Sequence, residues 1–261
     1  MEVLSINQDI WPNKNIVYST YGSLPMGGVV EQTPIYAFDE TPQQLVFSDD
    51  RHYLASREEI DLGGKLAFMI HNVASDEECD HLIMASETFG YRDEAPGIST
   101  PPGMRMNKTV HWLADDKMLG PLMRRMKHLL PQQIQGRRLF PRLSHRLNMY
   151  RYDQNDVFNQ HIDGDWPGFG LDASRQHMLE WQGAMRSCLT MILYLNGIED
   201  GVQGGNTLLL SQDQRWVSVT PKKGSALFFR HGFGTDSVVH IGARVTSHQA
   251  KYIARVNVLY Q

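Results

Sequence analysis

From residue 139 onward apolar and polar positions alternate in short bursts: HRLNMYRY, FNQHID, CLTMILYLN, NTLLLS, RWVSVT, GSALFFRH, SVVHIG and AKYIARVNVLY. Period-two alternation bounded by turn residues reads as half-buried strands, and eight in so short a span predict a closed or sandwiched antiparallel β structure. Upstream the period lengthens. Ser75 precedes DEECDHLIMASETFG with Glu78 three residues on, the spacing of a capping box, and Gly90 closes the helix. Asp115 and Asp116 suit the positive end of a second helix, running to about Leu130 before Pro131. LAFMIHNV and NKTVHWL read as strands, residues 95–103 as a loop, and 170–185 as the one place among the later strands with room for a helix. In the first sixty residues Pro12, Pro25, Pro34 and Pro42, with Gly22, Gly27 and Gly28, interrupt every run, leaving PIYAF and QLVF as short strand pieces. The expected organisation is an irregular extension over 1–62 and a single domain over 63–261. Within that domain, 63–138 supply helical support and 139–261 a β core. The class is α+β, mainly β, with helices packed on one side.

A chain of 261 residues with 41% hydrophobic and 21% charged residues can bury one sizeable core and is too apolar for disorder. Two cysteines, Cys79 and Cys188, are too few for a disulfide framework, and Cys188 reads as a packed thiol. MEVLSINQDIW lacks the basic and apolar regions of a secretory leader, and LAFMI and SALFF are far too short to span a membrane. A cytoplasmic protein is expected. The net charge of -4 is uneven: residues 1–100 carry 5 basic against 17 acidic residues, and residues 101–150 carry 10 against 2. The basic stretch reads as a solvated helix face, with an anionic partner as the alternative. Overall acidity argues against a nucleic-acid partner.

The strongest local chemistry is His161-Ile162-Asp163. On a strand, residues i and i+2 share a face, so an imidazole and a carboxylate there can take adjacent positions on one metal ion. His240 is the best third ligand, and two histidines with one carboxylate leave three positions open, as in non-haem Fe(II) oxygenases. His-X-Asp alone is common by chance. Lys251 and Arg255 share one face of the last strand, and two inward cations there would be costly without an anion. A dicarboxylate that chelates iron at one end would meet that need. On an edge strand the same two cations would simply face solvent. His231 is a rival distal histidine, but no cation follows it at the spacing that separates His240 from Lys251.

YDQNDVFNQHIDGDWPG, LTMILYLNGIEDGVQGGNTLLL, VTPKKGSALFFRHG and HIGARVTSHQAKYIARVNVLY, in that order, resemble the 2-oxoglutarate- and Fe(II)-dependent oxygenases of the prolyl 4-hydroxylase-like group. The resemblance covers roughly residues 64–261. It implies a double-stranded β-helix, or jelly roll, and iron held by His161, Asp163 and His240. Lys251 matches the cation that pairs with the far carboxylate of 2-oxoglutarate, with Arg255 second. Tyr152 matches a supporting hydroxyl, and Thr207 a position lining the pocket. Arg105 and Asn107 resemble a polar pair at the pocket mouth. Two features depart from the group: SHQAK carries one extra residue and puts His248 at a common turn glycine, and 164–186 is long. The long connection suggests a lid or specificity loop, with Trp166, Phe169 and Trp181 as packing or substrate aromatics.

The implied cofactors are Fe(II), 2-oxoglutarate and O2, and the resemblance admits ascorbate. The implied activity is hydroxylation of a C–H bond in a peptidyl, prolyl or amino-acid-like substrate, with 2-oxoglutarate converted to succinate and CO2. The competing expectations are a non-catalytic β-barrel that keeps the metal and 2-oxoglutarate site as a sensor, and a cupin-like metalloenzyme without cosubstrate. A peptide or small molecule is the expected partner, with no nucleic acid and no membrane.

Overall fold

The computed structural model describes residues 11–49 and 55–261, so the leader reading, which rests on residues 1–11, falls almost wholly outside it. Its first element is a hairpin of β1 (Lys14–Ser23) and β2 (Val29–Phe38), followed by β3 (Ser56–Glu59), β4 (Ala67–His71) and helix α1 (Asp76–Phe89). Next come β5 (Ala95–Pro96), β6 (Lys108–Leu113), helix α2 (Asp116–Met126), β7 (Gln133–Ile134) and β8 (Arg137–Leu143). The remainder is β9 (Arg146–Tyr152), β10 (Phe158–His161), β11 (Phe169–Leu171), β12 (Met178–Glu180) and β13 (Arg186–Tyr194). It closes with β14 (Thr207–Leu210), β15 (Trp216–Val219), β16 (Ala226–Arg230), β17 (His240–Gly242) and β18 (Lys251–Tyr260). No helix of the described residues is long and apolar enough to cross a membrane.

Two sheets face each other in the jelly roll. The major sheet runs β3-β4-β16-β13-β18-β9-β6-β2-β1-β5, and the minor sheet runs β10-β17-β14-β15. Alternation along each major strand divides its side chains between two cores. Met191, Leu193, Phe228, Ala254, Val256 and Val258 pack outward with Leu82, Ala85 and Phe89 of α1 and Met118, Leu119 and Leu122 of α2. Ile192, Tyr194, Leu227, Phe229 and Ile253 point the other way and meet Phe158, Leu209 and Val219 of the minor sheet. The inward face of β18 therefore carries Lys251, Ile253, Arg255 and Asn257. Because β18 lies between β13 and β9, it is a central strand, and the edge-strand alternative for its cations does not hold.

Several expectations are corrected. Residues 14–38 are not irregular: their prolines and glycines fall at bulges, at the turn and at pairings that spare the missing N–H, and β2 joins β6 in parallel. Ala55, inside the same 1–62 stretch, precedes β3, which pairs with β4. QLVF forms no strand; its first two residues belong to a 3₁₀ turn at Gln43–Leu45. Residues 170–185 form no helix; β11 and β12 make a small hairpin there. The second helix gives way after Met126 to a 3₁₀ turn at Lys127–Leu129. The basic stretch is only partly a solvated face. The side chain of Arg125 is 6% exposed and forms a two-pronged ion pair with Glu78 of α1 at 2.7 and 2.8 Å, and Arg105 and Arg146 are buried.

The capping box of α1 is present: Ser75 Oγ accepts from the Glu78 N–H at 3.1 Å, and Glu78 Oε2 accepts from the Ser75 N–H at 2.9 Å. Replacing Ser75 by alanine removes one of these bonds and leaves a helix N–H unsatisfied. Urea unfolding of Ser75→Ala is expected to show a loss of about 1 kcal/mol with an unchanged slope.

Candidate active site

His161 and His240 meet because β10 and β17 pair antiparallel with these two residues directly opposite. The register slips between Phe158 and His161: Asn159 and Gln160 of β10 oppose the single Ile241 of β17. That bulge matters for side-chain direction. Strict alternation would send His161 outward if Phe158 points inward, and the extra residue restores it to the interior. The His161 ring consequently stacks on Phe158 at 3.7 Å and lies 4.1 Å from the His240 ring.

Asp163 is placed differently from the strand expectation. β10 ends at His161, Ile162 is exposed, and Asp163 lies just beyond the strand. Its own bonds aim it. Its carbonyl accepts from the Gly232 N–H at 3.0 Å, and its Oδ2 accepts from Thr190 Oγ1 at 2.6 Å and from Arg255 Nε at 3.0 Å. Asp163 then stands 3.8 Å from His161 Nε2 and 3.9 Å from His240 Nε2, and one donor atom from each of the three lies within 4.8 Å of the others.

Both rings are held in one tautomer. His161 Nδ1 lies 2.7 Å from the Asn159 carbonyl and His240 Nδ1 3.2 Å from that of Val238, so each Nδ1–H donates and each Nε2 lone pair is left facing the common point. Burial pushes His161 down to about 3 and lowers His240, so both are neutral near pH 7. Burial alone would raise Asp163, but Arg255 first, then His240 and His161, hold its carboxyl well below the usual range. Two neutral imidazole nitrogens and one ionised carboxylate form a donor set suited to a divalent ion such as Fe(II).

Behind the triad lies a chain of hydroxyls and an imidazole that the sequence reading missed. Thr190 donates to Asp163, so its oxygen accepts from His231 Nδ1–H at 2.7 Å, and His231 Nε2 accepts from Ser187 at 2.8 Å. His231 is thus no rival to His240; it supports the carboxylate from the second row. Its position just past the end of β16, beside β13, could not be read from spacing.

Deeper in the cavity Lys251 is 1% exposed, and its Nζ donates to the Gly205 carbonyl. The rings over Nζ are Tyr152 at 5.0 Å and Tyr194 at 5.7 Å, and among the described residues it has no ion pair. The extra residue in SHQAK is absorbed in the loop before β18, so Lys251 still begins the strand facing inward, opposite Tyr152. Gly205 permits this approach, since a Cβ there would stand 2.9 Å from Lys251 Cδ, and φ is +67°. Thr207 Oγ1 bonds Tyr194 OH at 2.8 Å on the same wall. Tyr152, Thr207, Lys251 and Arg255 all line one cavity with the triad. Arg255 is committed to Asp163. Among the described residues that line this cavity, Lys251 is the cation without an acid partner.

Arg105 and Asn107 do not stand at the cavity mouth. Both are fully buried, and the Arg105 guanidinium donates to the backbone carbonyls of Asn107, Ser23 and Asp93, tying β1 to the rest of the fold. Trp181 packs beside Phe140 and His145, and Trp166 and Phe169 face Arg146.

Residues 147–259 match the family model of the 2OG-Fe(II) oxygenase superfamily. No curated protein matches the chain. Among solved structures, the viral collagen prolyl hydroxylase vCPH of Paramecium Bursaria Chlorella virus-1, in its 2OG complex, is similar with a TM-score of 0.51 at 20% identity. It covers 76% of this chain and 98% of its own. A Trichoplax adhaerens prolyl hydroxylase in complex with a hypoxia inducible factor oxygen degradation domain peptide fragment has a TM-score of 0.53 at 15% identity. It covers 76% of this chain and 84% of its own. At these identities the two structures establish the shared fold.

Burial pushes Lys251 down to about 7 from 10.5, so unfolding takes up a proton between those values and stability rises with pH across the window. Lys251→Met removes the contribution. In the cofactor-free protein, the stability of the variant relative to wild type should increase as pH falls from about 10 to 7 and level off below. Urea unfolding at a series of pH values checks this.

Proposed function

We propose that this chain, a 2-oxoglutarate- and Fe(II)-dependent oxygenase matched to its superfamily over residues 147–259, hydroxylates a C–H bond of a peptidyl substrate. The observation that carries the reading is the convergence of His161, Asp163 and His240 beside a buried lysine that lacks an anion. His161 Nε2, His240 Nε2 and an Asp163 oxygen would hold Fe(II). When bound, the metal with 2-oxoglutarate and O2 supplies the oxidation, and 2-oxoglutarate leaves as succinate and CO2.

The protein residues hold and orient. Lys251 would receive the far carboxylate of 2-oxoglutarate, a charge-assisted bond strengthened by the dry cavity. Tyr152 and Thr207 would complete that end, and Gly242 leaves room for the Tyr152 hydroxyl, which a Cβ there would approach to 3.1 Å. Arg255 keeps Asp163 ionised and directed, with Thr190 and His231 fixing the same carboxylate from behind. Phe158, Ile192 and Ile253 exclude water. The peptide seen on the Trichoplax adhaerens prolyl hydroxylase supports a peptidyl target in this fold.

Succinate production by the purified protein should require both Fe(II) and 2-oxoglutarate, and His161→Ala should lower it by about a hundredfold or more. Absence of any such turnover in wild type, with metal and 2-oxoglutarate still bound, would instead identify a sensor. Lys251→Met should raise the KM for 2-oxoglutarate by about tenfold or more, with a smaller change in kcat. Turnover assays across a 2-oxoglutarate series separate the two effects.

A further inference from the structure

Arg146 opens β9 with Asn148 and Tyr150 on the inward face, two residues before Asn148. Asn148 pairs across with Arg255, which bonds Asp163, and with His111 of β6 on its other side. Arg146 is 7% exposed. Its Nη2 donates to the Pro96 carbonyl and to His111 Nδ1, both at 2.9 Å, while its Nε–H has no acceptor. Among the described residues no carboxylate pairs with it; the titratable groups that face it are Tyr150, Arg255 and Tyr18.

The contact with His111 has a chemical consequence. A guanidinium can only donate, so His111 Nδ1 is the acceptor and the proton of the neutral ring sits on Nε2. Burial and the neighbouring Arg146 and Arg105 keep the ring neutral. His111 Nε2–H is therefore a second buried donor without a partner. A buried cation and two unanswered donors are costly unless an acceptor arrives. The cover over Arg146 is aromatic, with Trp166 at 5.6 Å and Phe169 at 5.7 Å from its guanidinium carbon, and Trp166 lies three residues beyond Asp163. Tyr18, one of the groups that face Arg146, stands on β1 and is half exposed, so the site lies close to the surface.

We propose that Arg146, with His111 and the Trp166 and Phe169 rings, receives a carboxylate of the substrate and so selects acidic or carboxyl-terminal peptides. This deepens the hydroxylase reading and rests on it for the word substrate. A carboxylate held by a charge-assisted bond from the dry guanidinium would anchor the chain close to the row of Asn148 and Arg255, setting which carbon is presented.

Three synthetic peptide pools test it: Asp- and Glu-rich with amidated ends, neutral with a free C-terminal carboxylate, and neutral with amidated ends. Binding is read from quenching of tryptophan fluorescence in the protein loaded with Mn(II) and 2-oxoglutarate, and turnover from succinate with Fe(II). One carboxylate-bearing pool should bind at least about tenfold more tightly than the neutral amidated pool, and which one it is distinguishes a side-chain from a terminal carboxylate. Arg146→Met should bring that ratio to about one. Arg146→Gln, which keeps a donor for Pro96, serves if the methionine variant does not fold. Equal binding of the three pools by wild type, or an unchanged ratio in the folded variant, overturns the proposal. A carboxylate preference in binding without any succinate would remove the hydroxylase reading and leave the anion site standing. Hydroxylation confined to the neutral amidated pool would do the reverse.

Discussion

Asp163 is an ionised carboxylate, about one-tenth exposed, and the rest of the site depends on keeping it charged. Burial acts to protonate it. Arg255 opposes this at 3.0 Å, and Thr190 donates to the same oxygen. Removing one member of such a pair would strand the other charge in a medium of low dielectric. The remaining oxygen is left toward His161, and the two imidazoles supply neutral lone pairs beside it. The geometry is a balance of charges first and a metal site second.

The same balance separates cations that look alike in the chain. Lys251 and Arg255 lie on one face of one strand, four residues apart, yet the arginine is neutralised by Asp163 while the lysine meets only a backbone carbonyl and two tyrosine rings. Arg105 also has an Nε–H without an acceptor, but its other nitrogens donate to three carbonyls and Asp93 and Glu94 lie near, whereas among the described residues Arg146 has no acid facing it. Among the described residues Lys251 and Arg146 are buried cations without an acid partner, and these are the two places proposed above to receive an anion. One suits the far end of a dicarboxylate. The other faces the aromatic cover and solvent.

The scaffold keeps these charges apart from the apolar core by alternation alone. Along β18 every second residue joins the core shared with α1 and α2, and those between project into the cavity. Helices on the outer face stiffen the sheet, and the pair of Glu78 with Arg125 locks them to each other. Stability thus resides mainly on one side of the major sheet and chemistry on the other. A substitution on the inward face of β9 or β18 can alter the site while the outer core stays packed.

What the sequence by itself determined are the features that local periodicity and capping encode: the strands from 146 to 260, the box at Ser75 and Glu78, and the alternation that turns Lys251 and Arg255 the same way. His161, Asp163 and His240 were legible as a set because spaced metal-ligating residue types are rare enough in combination to be recognised. Only the tertiary structure decided the remainder. The 1–62 stretch looked irregular because its prolines and glycines serve bulges and a sheet partner, β6, that is distant in sequence. The bulge that turns His161 inward is a property of pairing with β17, invisible in β10 alone. His231 and Thr190 join Asp163 because β16 and β13 are neighbours, and Arg105 is spent on carbonyls that belong to other segments. Which cation keeps its charge unanswered depends on what packs against it from elsewhere in the chain, and electrostatic partners at short range across long sequence separations leave no local pattern to read.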